Sequence, residues 1–170
     1  DNSVVTTPTI VEDLLDKDIF DIVGGEHHSL ALSRDGSLYV FGRYDLREIG
    51  IKKADLPDYS YKTSAGVVRA VPLPTKLKDV PKSRKVAAGS HHSFGISEDG
   101  VMYSWGFCDT YALGLGALLD DIDSPTRIHN TAVKDHDILY VDAGGQFSIS
   151  GGVKLSEKEI DKREDKYEND

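Results

Sequence analysis

The sequence predicts an all-β chain of stacked hairpin units, on three observations. A block at residues 24–42, GGEHHSLALSRDGSLYVFG, returns at 88–106 as AGSHHSFGISEDGVMYSWG and starts again at 144–150 as GGQFSIS. In each full copy, apolar residues alternate with period two on both sides of an Asp-Gly pair, the pattern of a hairpin with one face buried. Pro-Thr precedes each copy, at residues 8, 74 and 125, and glycine punctuates the same places. His27 to Gly36 spans as many residues as His91 to Gly100, and the loops ending at Gly50 and Gly114 match in length.

Each element has its own justification. Residues 1–7 are polar and aperiodic and read as a linker. Residues 19–23 form a first strand, which Gly24 and Gly25 break. Residues 28–32 alternate, Asp35 and Gly36 supply the positive φ of a tight turn, and 38–41 return. Gly42 stops the strand, and 43–50 are a loop. Residues 51–73, with Pro57, Tyr59 and Tyr61, interrupt the repeat and are read as an insertion with a short strand at 66–71. The second unit, opening at Pro74, gives strands at 85–88, 90–97 and 101–105, with the turn at 98–100. A loop ends at Gly116, and 117–123 are acidic. The third unit, opening at Pro125, gives strands at 138–143 and 146–150, which Gly151 and Gly152 interrupt. Residues 154–170, KLSEKEIDKREDKYEND, are charged, lack an apolar face and are expected to be a frayed helix or a disordered tail.

Such repetition means supersecondary units that bury their faces only by stacking. About four short strands per unit, with glycine where strands crowd an axis, describe a propeller blade. A horseshoe repeat would show a helix or a tight coil. Residues 8–153 are therefore expected to form part of a β-propeller, with Gly25, Gly89 and Gly145 as the anchors near its axis.

The totals narrow the function. A net charge of −9 argues against nucleic-acid binding over the whole surface. No apolar run approaches the roughly 20 residues of a membrane span. The lone Cys108 forms no internal disulfide and, with no secretory leader in sight, favours an intracellular protein. The chain opens on Asp1 rather than Met, so a fragment or processed chain is expected. No nucleophile elbow, P-loop or dinucleotide fingerprint is present. His27 with His28, and His91 with His92, are adjacent on strands that send neighbours to opposite faces, so neither pair chelates one ion. Asp120, Asp121 and Asp123 lack calcium-loop spacing. No cofactor and no metal are expected. Lys76, Lys78, Lys82, Arg84 and Lys85 form a basic run that reads as a solvated edge or a contact to DNA or an acidic surface. Asp45 and Asp109 read as turn-stabilising residues.

The block GGEHHSLALSRDGSLYVFGR, the Tyr103-Ser104-Trp105-Gly106 stop and the Gly114-Leu115-Gly116 loop resemble regulator-of-chromosome-condensation repeats. The resemblance covers nearly all of 8–150. It implies a seven-bladed propeller of four-stranded antiparallel blades, of which this chain supplies C-terminal blades. Within the family, the order of motifs and the charged tail resemble the fungal branch of guanine-nucleotide exchange factors for the small GTPase Ran. That implies exchange without covalent chemistry, association with chromatin, and a place in the nucleus and in nucleocytoplasmic transport. The implied partners are a Ran-type GTPase, histones or DNA, and the remaining blades, with no membrane. By motif position, His27, Arg43 and His91 match GTPase-contacting places. Phe147 stands where the third unit would carry a contacting His, so that contact is expected to be missing. The alternatives stay open at this point: His27 and His91 as repeat residues lining the axis, Arg43 as a solvated loop charge, and the whole propeller as an interaction scaffold without exchange activity.

Overall fold

A computed structural model describes residues 5–108, 110–117 and 120–167. Asp109 lies outside the described residues, as do residues 1–4 of the expected linker and 168–170 of the expected tail. The strands are β1 (Ile19–Gly24), β2 (His28–Ser33), β3 (Leu38–Arg43), β4 (Tyr61–Lys62), β5 (Val68–Lys76), β6 (Ser83–Ala88), β7 (His92–Ser97), β8 (Met102–Gly106), β9 (Ile122–Arg127), β10 (His136–Ala143) and β11 (Ser148–Lys154). They form a five-stranded sheet in the order β1-β2-β3-β5-β4, a four-stranded sheet β6-β7-β8-β9 and a ribbon β10-β11, with every pairing antiparallel. These are successive blades of an open, partial propeller.

The middle sheet is covered on both sides, and its burial shows it. All six residues of β7 are buried, whereas β1 alternates between half-buried and exposed residues. One apolar layer joins Leu30, Leu32, Leu38, Val40 and Val71 of the first sheet to Val86, Tyr103 and Trp105 of the second. A second layer joins Phe94, Ile96 and Met102 to Ile138 and Val141 of the ribbon. Trp105 is fully buried and donates its indole N–H to the Glu48 carbonyl at 3.0 Å. Truncating such a side chain costs about 3–5 kcal/mol.

Near the axis the blades meet through glycine. A Cβ on Gly25 would lie 2.5 Å from the Gly89 carbonyl oxygen, and one on Gly89 would lie 2.5 Å from that of Gly144. The third anchor is therefore Gly144, one residue before the Gly145 that the sequence pattern favoured. The Gly145 expectation failed because a Gly-Gly pair leaves the register ambiguous by one. The ladder settles it: Gly25, Gly89 and Gly144 donate to the carbonyls of His28, His92 and Phe147 in turn.

Three further expectations are corrected or narrowed. Residues 51–73 are only partly an insertion, because β5 starts at Val68 and is the outer partner of β3. Pro72, Leu73 and Pro74 bulge opposite Phe41, since Val40 pairs with Thr75 and Gly42 with Val71. The second sheet repeats this bulge with Pro125, as Ser104 pairs with Thr126 and Gly106 with Ile122. Proline is tolerated there because an outer strand at a bulge has no ladder bond to lose. The Pro-Thr pairs at 74 and 125 thus close one sheet rather than open the next. Second, β11 continues through Gly151 and Gly152, and the irregularity there is a bulge in β10, where Ile138 pairs with Gly152 and Tyr140 with Gly151. Third, of the two readings of the charged tail, its described part takes the helical one rather than the disordered one, as helix α1 (Glu157–Tyr167).

Helix α1 begins with a capping box. The Glu159 carboxylate accepts from the Ser156 amide at 2.9 Å and from its hydroxyl at 2.5 Å. No residue of α1 is buried. Tyr167 packs half-buried against the core, and polar contacts converge on the β7–β8 turn. Lys166 Nζ lies 2.7 Å from Asp99, the Tyr167 hydroxyl donates to Asp99 at 2.9 Å, and Arg163 donates to the carbonyls of Asp99 and His136 at 2.6 Å each. Glu164 pairs with Arg127 at 3.0 Å.

Candidate functional site

The end of the sheets opposite those turns gathers His27, His91 and Arg43. His27 and His91 each precede an inner strand. At both places a glycine passes beneath the histidine. Gly42 has φ +118°, and a Cβ there would stand 2.5 Å from the His27 carbonyl oxygen; Gly106, at φ +101°, stands equally close to His91. The chain leaving each glycine is then tied back. The Arg43 amide donates to the His27 carbonyl at 2.8 Å, and the Phe107 amide to the His91 carbonyl at 2.9 Å.

Across the two blades the side chains form one cluster. The rings of His27 and His91 lie 6.3 Å apart, and Phe107 meets His91 edge-on at 6.3 Å. Glu26 spans both histidines, 3.6 Å from His27 Nε2 and 3.2 Å from His91 Nε2. Arg43 Nε donates to Asp45 at 2.7 Å, so the turn-forming role read for Asp45 is joined by an ion pair. Below them Glu48 is fully buried. One of its carboxylate oxygens accepts from the Leu46 amide at 2.9 Å, while the other stands 3.9 Å from His91 Nδ1. Burial pushes its pKa up, against the backbone amides and His91 that lower it.

The second histidine of each pair does something different. His28 and His92 are buried between blades. His28 Nε2 meets Ser93 Oγ at 2.8 Å, and that hydroxyl donates to the Glu48 carbonyl at 2.9 Å. The serine proton is thereby committed, so His28 Nε2 is the donor. Burial, followed by repulsion from His91, His92 and His27, holds its pKa down at about 4. Phe147 packs against Gly144 as His28 and His92 pack against Gly25 and Gly89. It therefore replaces an inner histidine, and the surface place of the third unit belongs to Gln146. The expectation that Phe147 displaces a GTPase-contacting His carried the same one-residue slip as the anchor.

Sequence reasoning missed Glu26, Glu48 and Arg69, which the two units do not share: Ser90 and Ala112 take the places of Glu26 and Glu48. The basic run is mostly internal mortar. Lys82, Arg84 and Lys85 pair with Asp35, Asp137 and Asp21 at 2.6, 2.6 and 3.6 Å, stapling neighbouring elements. Among the described residues no group of three or more His, Cys, Asp or Glu is placed to hold a metal ion, and no helix is long and apolar enough to cross a membrane.

Comparison with known proteins agrees with this geometry. Models of the regulator of chromosome condensation (RCC1) repeat match residues 99–150 and 84–111. Over 151 residues, 89% of this chain and 31% of the relative, the sequence is 58% identical to the guanine nucleotide exchange factor SRM1 of Saccharomyces cerevisiae. The crystal structure of Prp20p from Saccharomyces cerevisiae, described with its binding to Gsp1p and histones, superposes with TM-score 0.89 at 56% identity, over 91% of this chain and 35% of that one. The chain belongs to the regulator of chromosome condensation family. Another member of that family, protein RCC1 of Candida albicans, is 49% identical over 170 residues, 99% of this chain and 36% of that protein. The chain spans about a third of the length of these curated family members.

Proposed function

We propose that this chain is a segment of a guanine-nucleotide exchange factor for a Ran-type small GTPase, working on chromatin in the nucleus and supporting nucleocytoplasmic transport. The observation that carries this reading is the cluster of His27, His91 and Arg43 at one end of two blades, in a sequence 58% identical to an exchange factor. The GTPase and histone partners named for Prp20p are carried to this chain by that similarity.

Exchange needs no covalent step. A surface that binds the nucleotide-free GTPase more tightly than the GDP-bound form lowers the cost of GDP release, and differential affinity supplies the whole driving force. Arg43 offers charge-assisted donors, while His27 and His91 offer ring N–H groups. The outer apolar residues Phe20 and Ile22 on one side, and Leu139, Ile149 and Val153 on the other, are exposed. Further blades of the same propeller cover them in this reading.

The test is GDP release from a Ran-type GTPase. The intact protein accelerates it, His27→Ala and Arg43→Ala each slow it by roughly tenfold, and the 170-residue chain alone does not accelerate it. Full exchange by the doubly substituted protein would overturn the roles given to His27 and Arg43, and no exchange by the intact protein would overturn the assignment and leave a scaffold role.

A further inference from the structure

The stretch from Gly50 to β5 is longer than its match in the second unit, and Arg69, which follows it in β5, stands where the second unit carries Asp120, since Val71 and Ile122 face Gly42 and Gly106 alike. Arg43 pairs across the ladder with Ala70, and the Tyr44 amide donates to the Arg69 carbonyl at 3.0 Å. Arg69 is thus fixed one residue from the cross-strand neighbour of Arg43, at the end of the sheet where His27 and His91 lie. The two guanidinium groups meet on a single oxygen of Asp45, Arg43 Nε at 2.7 Å and Arg69 Nη2 at 3.1 Å. The Asp45 side chain is only 14% exposed, against 38% for Arg43 and 49% for Arg69.

Two cations share the one carboxylate of Asp45, which leaves donors over for a partner although Glu48 and Glu26 also act on Arg43. Arg43 spends its Nε on Asp45, and among the described residues its terminal nitrogens have no hydrogen-bond acceptor in the protein. A long side chain held at one nitrogen by a shielded carboxylate keeps its remaining donors in a fixed fork and has already lost much of its rotamer freedom. A second guanidinium on the same carboxylate restricts Asp45 in turn. The surroundings decide what such a fork accepts. Glu26 and Glu48 lie close by, and the chain as a whole carries −9, which disfavours an extended polyanion such as nucleic acid. A single carboxylate on a protein surface matches the fork and tolerates the neighbours.

We infer that Arg69 is a positioning and specificity residue: with Asp45 it sets Arg43, and the two arginines together form a clamp for one carboxylate-bearing segment of the protein partner. The inference rests on the GTPase reading above and adds the chemistry of the contacted patch. The longer stretch before β5 thereby gains a function, because it delivers Arg69 to the site.

The experiment measures the affinity of the intact protein for the nucleotide-free GTPase over a range of salt concentrations. Arg69→Ala is expected to weaken binding roughly five- to tenfold and to flatten the salt dependence. Arg69→Lys keeps the charge but loses the fork, so it recovers only part of the loss; as the mildest change it also carries the test if Arg69→Ala melts early. Asp45→Asn adds positive charge yet is expected to weaken binding, because orientation is lost. Binding within twofold of the parent for both Arg69 variants, or tighter binding for Asp45→Asn, overturns the inference. Absence of any binding by the parent protein overturns instead the reading on which it rests.

Discussion

Gly25 sits against Gly89 with no room for a methyl group between them. A Cβ on Gly25 would lie 2.5 Å from the Gly89 carbonyl oxygen and 2.2 Å from the His28 ring, and Gly89 stands in the same relation to Gly144 and His92. The contact is backbone to backbone, so no side-chain rotation relieves it. Gly25→Ala and Gly89→Ala are each expected to destabilise the chain by about 1–3 kcal/mol, the usual cost of overpacking. Urea denaturation checks this; Gly66→Ala, at a turn with open space around it, serves as the comparison for backbone strain without crowding.

Acid should loosen the same seam. The folded pKa of His28 is held down at about 4, against an ordinary value of 6.5, and burial lowers that of His92 as well. As pH falls from about 6.5 towards 4, the unfolded chain takes up protons that the folded chain refuses. Stability therefore decreases over that window and is fully regained above it. Melting temperatures across this pH range are expected to show the slope. His28→Phe, which installs the residue that the third unit carries at the same place, should flatten it.

Helix α1 should be the first element to leave. Its docking depends on Asp99, whose carboxyl is kept down at about 2 by hydrogen bonds from Lys166, Ser97 and Tyr167, against the opposing effect of burial. A depressed carboxylate contributes stability above its unfolded pKa and loses it as pH falls from about 3.8 towards 2. Asp99→Ala, or high salt at neutral pH, should speed amide exchange over residues 157–167 by about tenfold or more while β7 and β8 stay protected. Equal protection of α1 in the variant would show that the ionic contacts are not what holds it.

What could be read from the sequence follows a physical divide. β1, β2, β3, β7 and β8 were legible because the apolar residues of their strands alternate and an Asp-Gly turn writes its φ as composition, even though β7 and β8 turn out buried on both faces. β5 was not, since Pro72 and Pro74 contradict a strand in isolation, and only an outer position with a bulge makes them harmless. The Ser156–Glu159 capping box announces a helix start locally, but the docking of α1 depends on Asp99, far away in sequence. Among site residues, His27, His91 and Arg43 stand out as repeat positions or as a departure from the repeat. Glu48 and Arg69 escaped because each unit's loop is free to differ, and their roles come from neighbours that only folding supplies.

The offset between sequence repeat and sheet has a practical corollary for anyone cutting this molecule. A boundary drawn at Pro74 looks natural on paper, yet it would strip the first sheet of its outer partner strand and leave that strand dangling from the next unit. The second copy of the repeat is a clasp, with one strand, β5, pledged to the blade behind it and three, β6 to β8, to the blade ahead. Exchange of units between relatives, or trimming to a smaller piece, would keep every sheet whole only if the cut falls in residues 77–82, between β5 and β6, or in 128–135, between β9 and β10.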